Sequence, residues 1–314
     1  MKKILLTGGT GFVGSNLARR LLQDGHILHL FVRPGYKSWR IDQIEEDLIF
    51  HEVDLLNYDQ VSKKVKQIGP DWVFHLATRG AYSWQDDVHD IVYTNVNGTV
   101  NLLEAVIRTG FEIFINTGSS SEYGEKDHAP LETEYLNPNS YYAATKAFNT
   151  HYCKYVGSSK NLNIITFRLY SVFGPYEDPR RFIPTLIRYG LNGKLPPLVD
   201  PEIARDFIHI DDVLDLYLLA ANTLEAAPGS IYNVGTGKQT TIRDSVSVAR
   251  KLMGIEVEPK WSSHENRKWD TNNWVANISL VKSKFNWYPN LDFATGFSRT
   301  LKWFQENPKY LYQI

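Results

Sequence analysis

The apolar residues of this chain fall into short runs separated by polar stretches of helical length. Lys3 to Thr7 runs into a glycine cluster, and Ser15 to Asp24 follows with Leu17, Ala18, Leu21 and Leu22 in helical spacing, which predicts strand, turn and helix. Ile27 to Val32, Leu48 to Val53 and Trp72 to Leu76 read as three more strands. A patterned helix around Asn95 to Thr109 leads to a fifth strand, Phe111 to Thr117, and a long helix starting near Tyr141 leads to a strand at Ile164 to Tyr170. Strands alternating with helices predict an α/β fold: a doubly wound parallel sheet covered on both faces.

After Tyr170 the texture changes. Pro175, Pro179, Pro184, Pro196, Pro197 and Pro201 punctuate the segment to about Asp206, so loops and short elements are expected to dominate there. The expected division is residues 1–170 as a ligand-binding domain and residues 171–314 as a smaller, mixed α/β, substrate-binding region. The runs Asp206 to Ile210 and Ser230 to Val234 read as strands that rejoin the first sheet. The aromatic tail from Trp303 is expected to dock a final helix.

Composition narrows the function. With 34 Lys and Arg against 35 Asp and Glu, the net charge of −1 supplies no general field for nucleic acid or an anionic membrane, so an anionic ligand needs a local site. The single cysteine, Cys153, forms no internal disulfide and belongs to no metal-binding cluster, so no metal is expected and a reducing, cytoplasmic setting fits. The apolar run after Met1-Lys2-Lys3 is too short for a signal sequence, and no stretch is long enough to span a bilayer.

The local anion site is Gly8, Gly11 and Gly14 in the turn Thr7 to Gly14, placed between the first strand and the first helix. Glycines there let the backbone approach a pyrophosphate, while the helix start offers free N–H donors and a positive dipole. Strand two ends in Val32-Arg33, without the acid that would bind ribose hydroxyls. Arg33, with Lys37, Ser38 and Arg40 after it, suits a 2′-phosphate and favours NADP over NAD. Asp54 either reaches an adenine amino group or caps a helix.

Tyr142 and Lys146 stand four residues apart on one helical face. A phenol needs a nearby cation to lower its pKa from about 10 before it can shuttle a proton. The hydroxyl-rich strand end Thr117 to Tyr123 supplies Ser119 as a third member, able to hydrogen-bond a reacting carbonyl or alcohol. His75 reads as a satisfied structural histidine.

These motifs, together with Phe74 to Ala77, Asn95 to Thr99, Arg168 to Pro175, Ala204 to Asp212 and Tyr232 to Gly235, make the chain resemble an extended short-chain dehydrogenase/reductase of the NAD(P)-dependent epimerase/dehydratase family, which acts on nucleotide sugars. The resemblance implies a Rossmann-like fold with Ser119, Tyr142 and Lys146 as catalytic residues. It implies that Thr10, Phe12, Val13, Leu55, Leu76, Ala77 and Asn95 line a dinucleotide, and that Thr78, Ser120, Ser121 and Ser171 border the sugar. Arg205 and Arg267 are then contacts to the diphosphate of a nucleotide-diphosphate sugar, and the chain forms a homodimer through two long helices per subunit.

Departures from the family's patterns narrow the reaction. Dehydratases carry acids directly after the catalytic hydroxyl, where this chain has Ser120 and Ser121, and Glu122 is expected to point elsewhere. The 3,5-epimerase-reductases use a cysteine near Ser121, far from Cys153. The expectation is an NADPH-dependent reductase of a nucleotide-linked 4-keto-6-deoxy sugar. A 4-epimerase holding NAD is the alternative, and a non-catalytic NADP-binding regulator is a third reading.

Overall fold

The computed structural model describes residues 1–37, 39–82, 84–224, 226–265 and 270–313. In chain order its first elements are β1 (Lys3–Thr7), α1 (Phe12–Gln23), β2 (Ile27–Val32), β3 (Ile49–Glu52), α2 (Tyr58–Ile68), β4 (Trp72–His75), α3 (Val88–Val92), α4 (Gly98–Thr109), β5 (Ile113–Ser119), α5 (Tyr141–Lys160) and β6 (Ile164–Leu169). There follow β7 (Ser171–Phe173), α6 (Phe182–Gly190), β8 (Ala204–Arg205), β9 (Phe207–His209), α7 (Ile210–Thr223), β10 (Ile231–Val234), β11 (Thr240–Thr241), α8 (Ile242–Met253), α9 (Ser279–Phe285) and α10 (Phe293–Glu306).

Seven strands form one parallel sheet in the order β10-β6-β5-β4-β1-β2-β3, flanked by helices, a Rossmann-like α/β architecture. Strand alternation divides the core. Leu5, Phe31, Val73, Phe114 and Ile164 face one side, where they pack with Val61 and Val65 of α2, Leu102 and Val106 of α4 and Val156 of α5, all buried. The intervening strand residues Leu6, Leu30, Phe74 and Phe167 are buried too, and Tyr217 of α7 packs against the rings of Phe74 and Phe167. Near-continuous apolar strands are what burial on both faces requires.

The chain divides into two compact units. One holds Met1–Gly124, Tyr135–Arg168 and Leu216–Tyr232; the other holds Glu125–Glu134, Leu169–Asp215 and Asn233–Ile314. In the second unit α10 is followed by a short 3-10 turn whose Tyr310 stacks on Trp303, with ring centroids 5.3 Å apart. The aromatic tail therefore docks on the last helix, as its composition suggested.

Three local features differ from expectation. The run at Phe207–His209 does not rejoin the large sheet: it pairs in parallel with β7. The cause lies at Asp206, whose carbonyl accepts from Ser171 N, while its carboxylate takes the N–H groups of Thr236, Gly237 and Ala276. The run at Ile231–Val234 does return, as the edge strand beside β6. The proline-rich stretch contains a nine-residue helix, α6, because Pro184 falls in its first turn, where no N–H is needed. The helix expected around Asn95 to Thr109 begins as α4 at Gly98, and a π turn over Tyr93–Asn97 joins it to α3, which the apolar spacing did not mark.

Candidate functional site

α1 begins at Phe12, earlier than the apolar spacing indicated, because Gly11 caps it with extended backbone angles. Gly8 has φ +74°, and a Cβ there would lie 2.5 Å from the Leu76 carbonyl carbon; a Cβ at Gly14 would lie 2.2 Å from the Gly8 oxygen. Both positions exclude any side chain, so the turn packs against β4 and on the start of its own helix. Gly11 N closes the turn on Gly8 O at 3.0 Å. No side chain caps α1, and its first turn carries no acid, so Thr10, Phe12 and Val13, all half-buried, frame free backbone donors. That arrangement fits a pyrophosphate.

Arg33 is exposed directly after β2. Tyr36 beyond it stacks on Phe50, with ring centroids 5.7 Å apart. Lys37 is also exposed, Arg40 lies over the Trp39 ring at 4.0 Å, and Ser38 falls outside the described residues. Asp54 is exposed and accepts from Leu56 N; the cap of α2 is Asn57, which settles the alternative reading of Asp54 as a cap. Leu55 is half-buried against Gly98. Leu76 is buried beside Gly8, and Ala77 N donates to Thr7 Oγ1.

Asn95 is placed differently from its expected part in lining a ligand. It is fully buried, and its amide donates to Arg79 O and Thr145 Oγ1 while its oxygen accepts from Arg79 N and Thr78 Oγ1. All four side-chain hydrogen-bonding positions are used, so it staples the loop after β4 to α5 and has none left for a ligand. Thr78, half-buried, is positioned by that staple.

β5 runs two residues further than expected and delivers Ser119 at its end. Ser119 Oγ accepts from Ser121 N at 3.2 Å, which leaves its own proton to donate. Ser120 is buried and Ser121 half-buried in the 3-10 turn that follows. On α5, Ser140 caps the helix that presents Tyr142, half-buried, and Lys146, buried. Lys146 Nζ donates to Thr117 O at 2.6 Å and lies 6.0 Å from the Tyr142 ring centroid. Burial pushes the Lys146 ammonium down to about 8, with the Glu122 carboxylate opposing it, so the group remains mostly charged at neutral pH.

His75 is structural. Thr99 Oγ1 donates to Asn95 O and so accepts from His75 Nε2, while Thr7 Oγ1 donates to His75 Nδ1. Burial holds its pKa near 3, and the imidazole stays neutral.

The sequence did not foreshadow the network behind Ser119. Glu122 lies in the 3-10 turn after β5, not on a strand, and points into the interior, where it accepts from Ser119 N at 2.8 Å, Thr150 Oγ1 at 2.9 Å and Arg168 Nε at 2.8 Å. Arg168 also donates to Tyr123 OH. An arginine inside the apolar run Ile164 to Tyr170 was the available signal, since a buried cation needs a buried partner.

In the second unit, Ser171 is half-buried at the start of β7. Arg205 is occupied within the protein: Nη2 meets Asp270 Oδ1 at 2.5 Å, Nη1 donates to Ala204 O, and the guanidinium lies over Trp274 at 5.5 Å. A diphosphate would have to compete with Asp270 for it. Arg267 and its neighbour Trp269 lie outside the described residues.

The chain is similar to an Arabidopsis thaliana trifunctional UDP-glucose 4,6-dehydratase/UDP-4-keto-6-deoxy-D-glucose 3,5-epimerase/UDP-4-keto-L-rhamnose-reductase, at 27% identity over 98% of this chain. It spans 48% of that relative, about half its length. The structure of a Thermotoga maritima UDP-glucose 4-epimerase with UDP-glucose superimposes with a TM-score of 0.87, at 25% identity, over 97% of this chain and 99% of that one. A Bacillus cereus UDP-glucuronic acid 4-epimerase, in complex with UDP-glucuronic acid and NAD, gives 0.85 at 28% identity, over 97% and 99% of the two chains. A family profile matches residues 4–235, and with the glycine turn and the placement of Ser119, Tyr142 and Lys146 it assigns this chain to the NAD dependent epimerase/dehydratase family.

Proposed function

We propose that the protein is an NADPH-dependent reductase of a nucleotide-linked 4-keto-6-deoxy sugar, with Ser119, Tyr142 and Lys146 as its catalytic residues. The observation that carries the choice of cofactor is Arg33, exposed at the end of β2 where a carboxylate would otherwise meet the ribose. A bound dinucleotide would be held by Gly8 to Gly14 at its pyrophosphate and by Arg33 at a 2′-phosphate, and its nicotinamide supplies the hydride chemistry. Ser119 Oγ, its proton free, hydrogen-bonds the C4 oxygen of the sugar. Tyr142 hands its phenolic proton to that oxygen, and the adjacent Lys146 ammonium stabilises the phenolate left behind. Arg205, once released from Asp270, binds diphosphate oxygens through its planar fork.

A second reading, a 4-epimerase that recycles one bound NAD, is favoured by the likeness to the two 4-epimerase structures. It uses the same three residues. The outer face of α5 exposes Tyr141, Phe148 and Tyr155 at seven-residue intervals, which supports pairing of two copies through this helix. The test of function is turnover of NADPH with 4-keto-6-deoxy sugars on each common nucleotide. Net NADPH oxidation supports the reductase, whereas interconversion of C4 epimers without net oxidation replaces it with the epimerase.

A further inference from the structure

The buried Glu122 and Arg168 lie outside the three catalytic candidates yet are built into the same corner of the sheet. Their side chains are 0% and 1% exposed. Gly118 makes room for the carboxylate: a Cβ there would stand 2.7 Å from Glu122 Oε1. The residue before Gly118 gives its carbonyl to Lys146 Nζ, and the residue after it gives its N–H to Glu122 Oε1. Thr150, which also donates to Oε1, sits one helical turn beyond Lys146 on α5. The carboxylate therefore faces the same three-residue stretch, Thr117 to Ser119, that receives Lys146 and presents the Ser119 hydroxyl.

We propose that Glu122, held in place by Arg168, is a positioning residue that seats Ser119 through its backbone N–H and supplies the fixed negative charge facing Lys146. It touches neither substrate nor cofactor. The titratable and charged groups around this point are Tyr142 and Cys153 on α5, His75 on β4, Arg168 on β6 and Tyr123 beside Glu122. His75 is neutral, and burial pushes the Cys153 thiol up to about 12, so neither carries charge near neutrality. Arg168 donates to the far oxygen, Oε2, and so leaves Oε1 toward Ser119 and Thr150. Lys146 is depressed first by burial, and Glu122 is the leading charge that resists the depression.

The inference rests on reading Lys146 as the partner of Tyr142, so its test avoids turnover altogether. In full-length, ligand-free protein carrying 13Cε-lysine, the Lys146 signal is assigned by its loss in Lys146→Met and titrated with pH. Its midpoint is expected near 8. In the neutral double variant Glu122→Gln/Arg168→Met it is expected to fall by about one pH unit, while Arg168→Lys, which keeps the cation, stays at the wild-type value. An unchanged midpoint in the folded double variant overturns the proposal. If that variant does not fold, the reciprocal measurement decides: the Glu122 carboxyl carbon should titrate higher in Lys146→Met than in the wild type, and an equal midpoint overturns the proposal. A moved Lys146 midpoint in a protein that turns over no nucleotide sugar would sink the proposed reaction and leave this inference standing.

Discussion

Replacing Arg168 by Met removes the guanidinium bonded to Glu122, a carboxylate that is itself 0% exposed. Glu122 keeps the Ser119 N–H and Thr150 donors but loses its counter-ion. Stripping one partner from a buried ion pair costs about 3–5 kcal/mol, and at roughly 2–4 °C per kcal/mol the melting temperature should drop by roughly 6–20 °C. The loss has a definite pH dependence. Burial already raises the Glu122 carboxyl above its ordinary value with Arg168 beside it, and removing the guanidinium, the leading charge that opposes burial, raises it further. A raised acid destabilises the fold at pH values above its unfolded pKa, and the penalty vanishes once the group is protonated in both states. The gap between wild type and variant, measured by calorimetry or circular dichroism, should therefore be widest at pH 7 to 8 and narrow on acidification toward pH 4. A residue of the loss should persist at all pH values, since Tyr123 OH also loses its donor. A drop below about 2 °C, or one that does not vary with pH, would refute the view that the pair is charged and interdependent.

Three further outcomes follow from the same geometry. Tyr142→Phe should lower kcat by at least about 100-fold while leaving dinucleotide affinity within a factor of about two, read by steady-state kinetics and fluorescence titration; full turnover would remove Tyr142 from its role. Gly14→Ala places a Cβ 2.2 Å from the Gly8 oxygen, so the turn must shift and dinucleotide binding should fall below detection by calorimetry, with wild-type affinity counting against the turn as the binding site. The His75 ring, with its pKa near 3, should show no imidazole chemical-shift titration between pH 5 and 9, and a midpoint in that range would contradict its neutral, doubly bonded state.

The elements legible in the sequence are those whose cause is local. Alternation of apolar runs marked β1 to β6, the glycine spacing marked the turn, and the four-residue step from Tyr142 to Lys146 put both on one face of α5. What stayed hidden depends on pairing across long separations. Glu122 and Arg168 are 46 residues apart, and Arg205 and Asp270 are 65 apart, so no periodicity links them. β9 was misplaced for the same reason, because three residues carry too little pattern to choose between a buried sheet and the short strand Ser171–Phe173. Asn95 was recognised as part of a motif, but that its side chain is spent on Arg79, Thr78 and Thr145 emerges only once the loop and the helix are placed together.

In the proposed reading the turn after β1 and Arg33 hold NADPH for net reduction. The most direct test is to denature freshly purified protein, identify any released dinucleotide by chromatography, and titrate the emptied protein with NADPH and NADH. The expected result is an empty or loosely occupied site that binds NADPH at least about tenfold more tightly than NADH, a difference of about 1.4 kcal/mol. Stoichiometric NAD retained through purification would contradict it and make the 4-epimerase the function.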